Sequence, residues 1–392
     1  VTSVDSRSTS PSGRFRDHTT ARVGGPAGRW IRAETQTQAL EVLRVHPLPE
    51  ELEREAGRDT LIVLGGGSNL LVSEEGFPGT VLQIAFSGID TEEHSAGKVL
   101  MSVAAGHDWD DAVRFSVARG LTGLEALSGI PGSTGAVPVQ NVGAYGADVA
   151  QTLKDVQVFD RARGELISFT KEQLRFGYRD SLLKQTTVHG SPRYVVLSVR
   201  FLLQSRPDGL SAPVRYGELA RTLGLDAESA DHERRAPLQE VRRTVLNLRA
   251  GKGMVLSEAD HDTWSTGSFF TNPIVPKETA AELPADAPKF SAGTDDTGRP
   301  LVKLSAAWLI DQAGCGKGFG LPDGPAAGRG AQGRGIAEGR AALSTKHTLA
   351  VTNRGTATTD DLLTVARAAR DQVRTRFGIT MHQEPVLIGH AL

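Results

Sequence analysis

The chain has 392 residues, of which 39% are hydrophobic and 23% charged, and a formal net charge of −2. Those values belong to an ordinary folded protein of two or three domains and leave no basic footprint for nucleic acid. No apolar run reaches the ~18–20 residues of a membrane span, and the single cysteine, Cys315, excludes an internal disulfide or a metal site built on several thiolates.

Residues 1–17 are rich in Ser, Arg and Asp and lack the apolar core of a signal peptide, so a disordered tail on a cytoplasmic protein is expected. Structure should begin near Thr20, where Gly24, Gly25 and Pro26 precede a short strand. Thr35 and Gln38 form a capping-box pattern for a helix whose apolar face is Ala39, Leu40, Val42 and Leu43. Leu61 to Leu64 reads as a buried strand running into Gly65, Gly66 and Gly67, then Ser68 and Asn69. This run is neither G-x-G-x-x-G opening a helix nor a P-loop, so a Rossmann reading fails. The following LLVSEEGFPGTVLQI reads as strand, turn, strand. Two uses of the glycines stay open: amides facing a pyrophosphate inside a mixed sheet, or the tight turn of a hairpin.

A strand from Val99 to Ala105 and a helix from about Asp110 to Arg119, stopped by Gly120, lead into the stretch GLEALSGIPGSTGAVPVQNVGAYGA, Gly123 to Ala147. It is dense in glycine yet too apolar for a linker. Its backbone can approach a ligand closely and offer N–H groups to phosphate oxygens, with Ser133, Thr134, Gln140 and Asn141 as further partners.

Strands are predicted at Leu153 to Phe159, Leu166 to Thr170 and Tyr194 to Leu203, with FGYRDSLLK among them. Residues 205–236 read as a polar excursion with a short helix after Tyr216. Pro237 opens a helix striped by Leu238, Val241, Val245 and Leu248 that ends near Gly251. Beyond it a further domain should hold GSFFTNPIV, a helix Ala306 to Gln312, a strand Thr348 to Asn353 and a long helix Asp360 to Phe377. Thr358 or Thr359 would cap that last helix and Gly378 would end it. Cys315 reads as an incidental small residue in a loop. The Gly/Arg-rich run between Lys317 and Arg340 reads as a flexible surface insertion.

Six segments together resemble one family. They are LGGGSNLLV at Leu64, the stretch from Gly123 to Ala147, FGYRDSLLK at Phe176, GSFFTNP at Gly267, SAAWLIDQAG at Ser305 and QEPVLIG at Gln383, and their order is that of the UDP-N-acetylenolpyruvoylglucosamine reductases. The resemblance spans about residues 20–390. It implies an α+β fold, with a two-part FAD-binding module of the vanillyl-alcohol-oxidase type (mixed sheets with helices) and a C-terminal α/β substrate-binding domain. The implied division is a tail 1–17, a first FAD-binding subdomain 18–84, a second with a substrate-covering loop 85–250, and a substrate-binding domain 251–392. It further implies an NADPH-dependent flavoenzyme of peptidoglycan synthesis. Its substrate would be UDP-N-acetylglucosamine enolpyruvate, reduced to UDP-N-acetylmuramate by hydride from FAD and protonation of an enolate, with no nucleic acid or membrane partner.

By the same resemblance FAD is held by Gly65, Gly66, Gly67, Ser68, Asn69, Gly129, Pro131, Gly132, Ser133, Thr134, Gly135, Gln140, Asn141, Gly143 and Ala144. Tyr216, Lys252, Asn272 and Gln312 become substrate contacts, and Arg179, Ser268 and Glu384 the catalytic set. The chemistry is coherent. A guanidinium keeps its charge and can fork onto an enolate's carboxylate, and a lysine suits a diphosphate as a point charge. A carboxyl helps only if a dry pocket retains its proton, and a serine donates a proton only to a strongly basic carbon. Read alone, Glu384 belongs on the surface and Ser268 at the start of a strand. Asp180 and Lys184 are assigned no catalytic role. Two other readings remain open: a flavin oxidase on the same fold, and a nucleotide-sugar-binding protein without redox chemistry.

Overall fold

The structure is a computed structural model that describes residues 13–48, 60–95, 97–226, 230, 233–323 and 335–392. Two compact units emerge, neither contiguous in sequence. The first comprises Val1–Arg14, Pro26–Gly67 and Phe77–Val255; the second comprises Phe15–Gly25, Ser68–Gly76 and Leu256–Leu392.

In the first unit, the strand Phe77–Ile84 is buried at nearly every position and lies between Ala27–Ala33 and Leu61–Leu64, parallel to both. The capping box forms as expected: Thr35 accepts from the Gln38 N–H, the Gln38 side chain reaches back, and helix Gln36–Arg44 buries Ala39 and Leu43. Gly65 to Gly67 do not turn a hairpin, because the strand before them, Leu61–Leu64, pairs with Phe77–Ile84 and the strand after them, Leu70–Val72, pairs with Val386–Ile388.

The larger sheet is antiparallel, in the order Glu165–Thr170, Leu153–Asp160, Tyr194–Ser205, Lys98–Ala104, Ile89–Ser95, with Leu121–Thr122 on the far end of Tyr194–Ser205. The edge strand Ile89–Ser95 was not expected. Its sequence IDTEEHS is solvated along its length and carries no apolar alternation to betray it. Helix Trp109–Ala118, capped by Asp108, packs Trp109, Ala112, Val113 and Val117 into the same core as Met101, Val103 and Phe201. The Trp109 indole N–H donates to the Leu127 carbonyl at 3.1 Å, which joins this helix to the glycine-rich stretch.

The second unit is built on helix Thr359–Phe377. Its face of Leu362, Leu363, Val365, Ala366, Ala369 and Val373 is fully buried with Ala306, Leu309 and Ile310 of helix Ala306–Gln312. An antiparallel sheet of Ile274–Pro276, Pro300–Leu304 and Lys289–Thr294, a pair Ala341–Leu343 with Val351–Asn353, and a parallel pair Leu70–Val72 with Val386–Ile388 complete it.

Three expectations need correction. The tail was expected to reach residue 17; residues 1–12 lie outside the described residues, but Phe15–Asp17 form a 3-10 turn with Phe15 wholly buried. Cys315 is a core residue, inaccessible and packed among the helices of the second unit, and burial pushes its thiol up to about 12. Of the Gly/Arg-rich run, residues 324–334 lie outside the described residues. Its flanks are packed: Phe319 is buried and Ile336 and Ala337 lie against the second core.

Both halves of a capping box close the start of the long helix, Thr358 accepting from the Asp361 N–H at 3.2 Å and Asp361 accepting from the Thr358 N–H at 2.9 Å. Thr358→Ala is expected to cost about 1 kcal/mol, read as a lower urea midpoint with an unchanged slope.

Candidate active site

The two glycine-rich segments of the first unit meet backbone to backbone. A Cβ on Gly66 would lie 2.6 Å from the Gly132 α-carbon, and one on Gly65 would lie 2.1 Å from the Ser133 hydroxyl. Among the described residues nothing accepts the N–H of Gly66, Gly132 or Ser133. Neutral main-chain donors crowded at one place, with no side chain to cover them, suit a diphosphate. Other amides of the stretch are committed within the fold. Gly129 N–H donates to Asp110 at 2.6 Å, Thr134 N–H to the His107 carbonyl at 2.8 Å, and Gly135 N–H to the Ala105 carbonyl at 2.8 Å. The Thr134 hydroxyl also donates to the His107 carbonyl, at 3.1 Å. The expectation that these amides and the Thr134 hydroxyl face a ligand is therefore corrected: the stretch has a bare part at Gly132 and Ser133 and an anchored part around them.

The segment FGYRDS grips the same stretch. Gly177 and Asp180 bridge a tight turn with Arg179 at its tip, held at φ 55°, in the left-handed region. Asn141 and Tyr145 of the glycine-rich stretch sit there too, at φ 45° and 50°. Strain of this kind in three non-glycine residues of one locality persists only where neighbouring contacts enforce it. The contacts are reciprocal. Arg179 donates to the carbonyls of Gly143 at 2.8 Å and Asn141 at 3.4 Å, while the Asn141 amide donates to the Gly177 carbonyl at 3.0 Å and its oxygen accepts from Ala150. Ser181 adds a bond to the Val139 carbonyl at 2.6 Å, and Lys184 holds the Arg179 carbonyl at 2.9 Å. The flavin and catalytic candidates Asn141, Gly143 and Arg179 are thus one structure, with Lys184 as a support.

Tyr216 caps helix Gly217–Thr222 and stands edge-on to Tyr145, with ring centroids 5.5 Å apart. Lys252, just past helix Leu238–Gly251, pairs with Glu218 at 2.6 Å and lies 5.7 Å from the Tyr145 ring centre. Burial opposes the lysine's charge, but the bond to Glu218 together with the charges of Glu218, Tyr145 and Tyr216 outweighs it and holds the ammonium above its ordinary value. Tyr145 and Glu218 were not among the expected site residues. Tyr145 could have been found, since it is the sole aromatic in a stretch of small residues. Asp110 was missed as well: it accepts the Gly129 N–H and takes a fork from Arg242 at 2.7 Å on each oxygen, which fixes helix Leu238–Gly251 to the glycine-rich stretch.

In the second unit, Ser268 and Glu384 are brought together by the main chain. Thr271 N–H donates to the His382 carbonyl, Phe270 bridges Gln383, and Glu384 N–H donates to the Phe269 carbonyl at 2.8 Å. Phe269 and Phe270 are buried, whereas Ser268 and Glu384 are partly accessible. Asn69 belongs to this group, its amide donating to the Glu384 carbonyl at 3.3 Å and its carbonyl accepting from Val386 at 3.0 Å. Asn272 accepts the Ala306 N–H at 2.9 Å at the start of helix Ala306–Gln312, and Gln312 ends that helix.

Two glycine segments that meet with bare amides, taken together with the comparisons, define a flavin-dependent oxidoreductase. Residues 54–170 match a family described as FAD binding domain, and residues 259–388 match UDP-N-acetylenolpyruvoylglucosamine reductase, C-terminal domain. A UDP-N-acetylenolpyruvoylglucosamine reductase of Saccharopolyspora erythraea is 49% identical, covering 96% of this chain and 94% of the relative, and one of Streptomyces coelicolor is 45% identical over 100% and 94%. The chain belongs to the UDP-N-acetylenolpyruvoylglucosamine reductase family. The crystal structure of the reductase from Thermus caldophilus shares its fold, with TM-score 0.59 and 24% identity over 96% of this chain and 98% of the other.

Gly66→Val is expected to leave the protein folded but free of FAD, because the side chain would push the two segments of the cradle apart. Full flavin absorbance in the purified variant would show that the segments do not hold the cofactor. Asp110 gives a pH test. Burial would raise its carboxyl, but Arg242 and the Gly129 N–H prevail and hold it below its ordinary 3.8. Its contribution is therefore full above that value and lost as pH falls through the lowered one. The gap in urea midpoint between wild type and Asp110→Asn should be constant near neutrality and close only in strong acid.

Proposed function

We propose that this chain reduces the enolpyruvyl double bond of UDP-N-acetylglucosamine enolpyruvate to give UDP-N-acetylmuramate for peptidoglycan. Bound FAD, recharged by NADPH, supplies the hydride that no side chain can. The reading assigns residues 18–84 and 85–250 to flavin binding and 251–392 to the substrate. Gly66, Gly132 and Ser133 offer amides to the FAD diphosphate. Arg179, anchored through two carbonyls, meets the carboxylate of the enolpyruvyl group and the charge that builds on it. Its anchoring means that little reorganisation is needed when that charge appears.

Ser268 delivers the proton to the substrate carbon, and Glu384 keeps or shares a proton beside the enolate. Lys252 answers the diphosphate of the sugar nucleotide, Tyr216 covers it, and Asn272 and Gln312 are further contacts to the substrate. The observation that supports this reading is main-chain pairing in the second unit: Glu384 N–H on the Phe269 carbonyl, with Phe270 bridging Gln383, runs the segments of Ser268 and Glu384 side by side.

Reduction of FAD by NADPH needs no proton for the substrate carbon, whereas turnover of the enolpyruvyl group does. In Ser268→Ala, bleaching of the flavin by NADPH should proceed at the wild-type rate, while recovery of colour on adding the sugar nucleotide without oxygen should slow ~10²–10⁴-fold. Unchanged recovery would remove Ser268 from the mechanism. Equal slowing of both phases would mean that the substitution disturbs the flavin site itself.

A further inference from the structure

Glu125 is 2% exposed, yet its partners are main-chain amides rather than a cation. Gly123 N–H donates to one carboxylate oxygen at 2.6 Å and Ala212 N–H to the other at 2.5 Å. The two donors belong to different parts of the site. Gly123 opens the glycine-rich stretch, at φ 123° with the Thr152 methyl against its α-carbon. Ala212 opens the segment that runs to Tyr216.

Ser211 N–H donates to the Ala236 carbonyl at 2.9 Å and Val214 N–H to the Arg234 carbonyl at 2.8 Å, just before helix Leu238–Gly251, while at the segment's end the Tyr216 carbonyl accepts the Ala220 N–H and the Tyr216 ring meets Tyr145. Among these contacts the carboxylate of Glu125 is the one that reaches back to the start of the flavin-binding stretch. The charged and titratable groups around it are known. Tyr145, Arg206, Arg215 and Arg235 line with it a cavity of about 390 Å³. Arg206 forks onto Asp208, and Arg235 donates to the Ser211 carbonyl at 2.6 Å.

We propose that Glu125 is a positioning residue for the substrate: as a carboxylate it fixes residues 211–216 to the glycine-rich stretch. It thereby sets where Tyr216 and the Glu218–Lys252 pair meet the sugar nucleotide. This rests on Tyr216 and Lys252 being substrate contacts. Because two N–H groups converge on it, the side chain must accept on both oxygens. A protonated carboxyl or a glutamine amide accepts on one and presents a donor to the other N–H. Either change frees Ala212 or Gly123, and the affinity for the sugar nucleotide falls while flavin binding is untouched.

Glu125→Gln holoenzyme should retain stoichiometric FAD by absorbance and the wild-type rate of reduction by NADPH. KM for the sugar nucleotide should rise roughly tenfold, with kcat within about twofold. In wild type the same KM should climb as pH is taken from about 8 to about 5, since desolvation, opposed by the surrounding amides, raises the Glu125 carboxyl above its ordinary 4.5. In Glu125→Gln it should be high and flat over that range, and Glu125→Asp should restore part of the pH dependence. Tyr216→Ala, measured in parallel, tests the reading beneath: an unchanged KM there would refute Tyr216 as a substrate contact. A raised KM in Tyr216→Ala with an unchanged KM in Glu125→Gln would overturn the role of Glu125. So would loss of flavin or equal slowing of both half-reactions in Glu125→Gln, and so would a flat wild-type profile, which needs no variant to fold.

Discussion

The glycine-rich stretch of the first unit has hardly any regular ladder of its own, so its backbone donors and acceptors must find partners elsewhere, and most of the site follows from how they do. Asp110 takes the Gly129 amide and Glu125 the Gly123 amide; Arg179 takes the Asn141 and Gly143 carbonyls. Each of these side chains has a second attachment. Asp110 also holds Arg242 of the helix ending at Gly251, Glu125 also holds Ala212, and the chain carrying Arg179 is held by Lys184 and Ser181. Satisfying the loop is therefore the same act as placing the elements that present Tyr216, Lys252 and Arg179. Amides left over, among them Gly132 and Ser133, with Gly66 facing them, are suited to a ligand.

The glycines of the cradle acquire a different meaning in this light. A run such as Gly65 to Gly67 suggests a backbone approaching a ligand, but the nearest neighbours of a side chain at Gly65 or Gly66 are Ser133 and Gly132. Close approach of one loop to another is the first demand on these positions. The ligand then meets a surface that two bare segments create together.

Much of this was legible in the sequence, and for local reasons. Helices Gln36–Arg44, Ala306–Gln312 and Thr359–Phe377 follow from caps and apolar stripes within a few residues, and the structure returns them at the expected places. The family and its flavin chemistry followed from six ordered motifs. What escaped was the part decided by distant partners. Ile89–Ser95 is a strand only because Lys98–Ala104 lies beside it, and Pro300–Leu304 because it has neighbours on both sides. Glu125, Asp110 and Glu218 look like any solvated carboxylate until Ala212, Arg242 and Lys252 are seen opposite them. The packing of Phe15 and Cys315 is equally invisible, since neither belongs to a periodic run.

The parallel pair of the second unit bears on how the protein is made. Among the described residues Leu70–Val72, with Leu71 and Val72 buried, pairs only with Val386–Ile388, far away along the chain. A ribosome adding ~5–20 residues per second needs roughly 15–60 s to lay down the intervening chain. During that time an apolar edge emerges early, remains unpaired and is open to association with other nascent chains. The pair can close only once the intervening chain has been made. How well that waiting edge is shielded during synthesis is a property that the stability of the finished enzyme does not report.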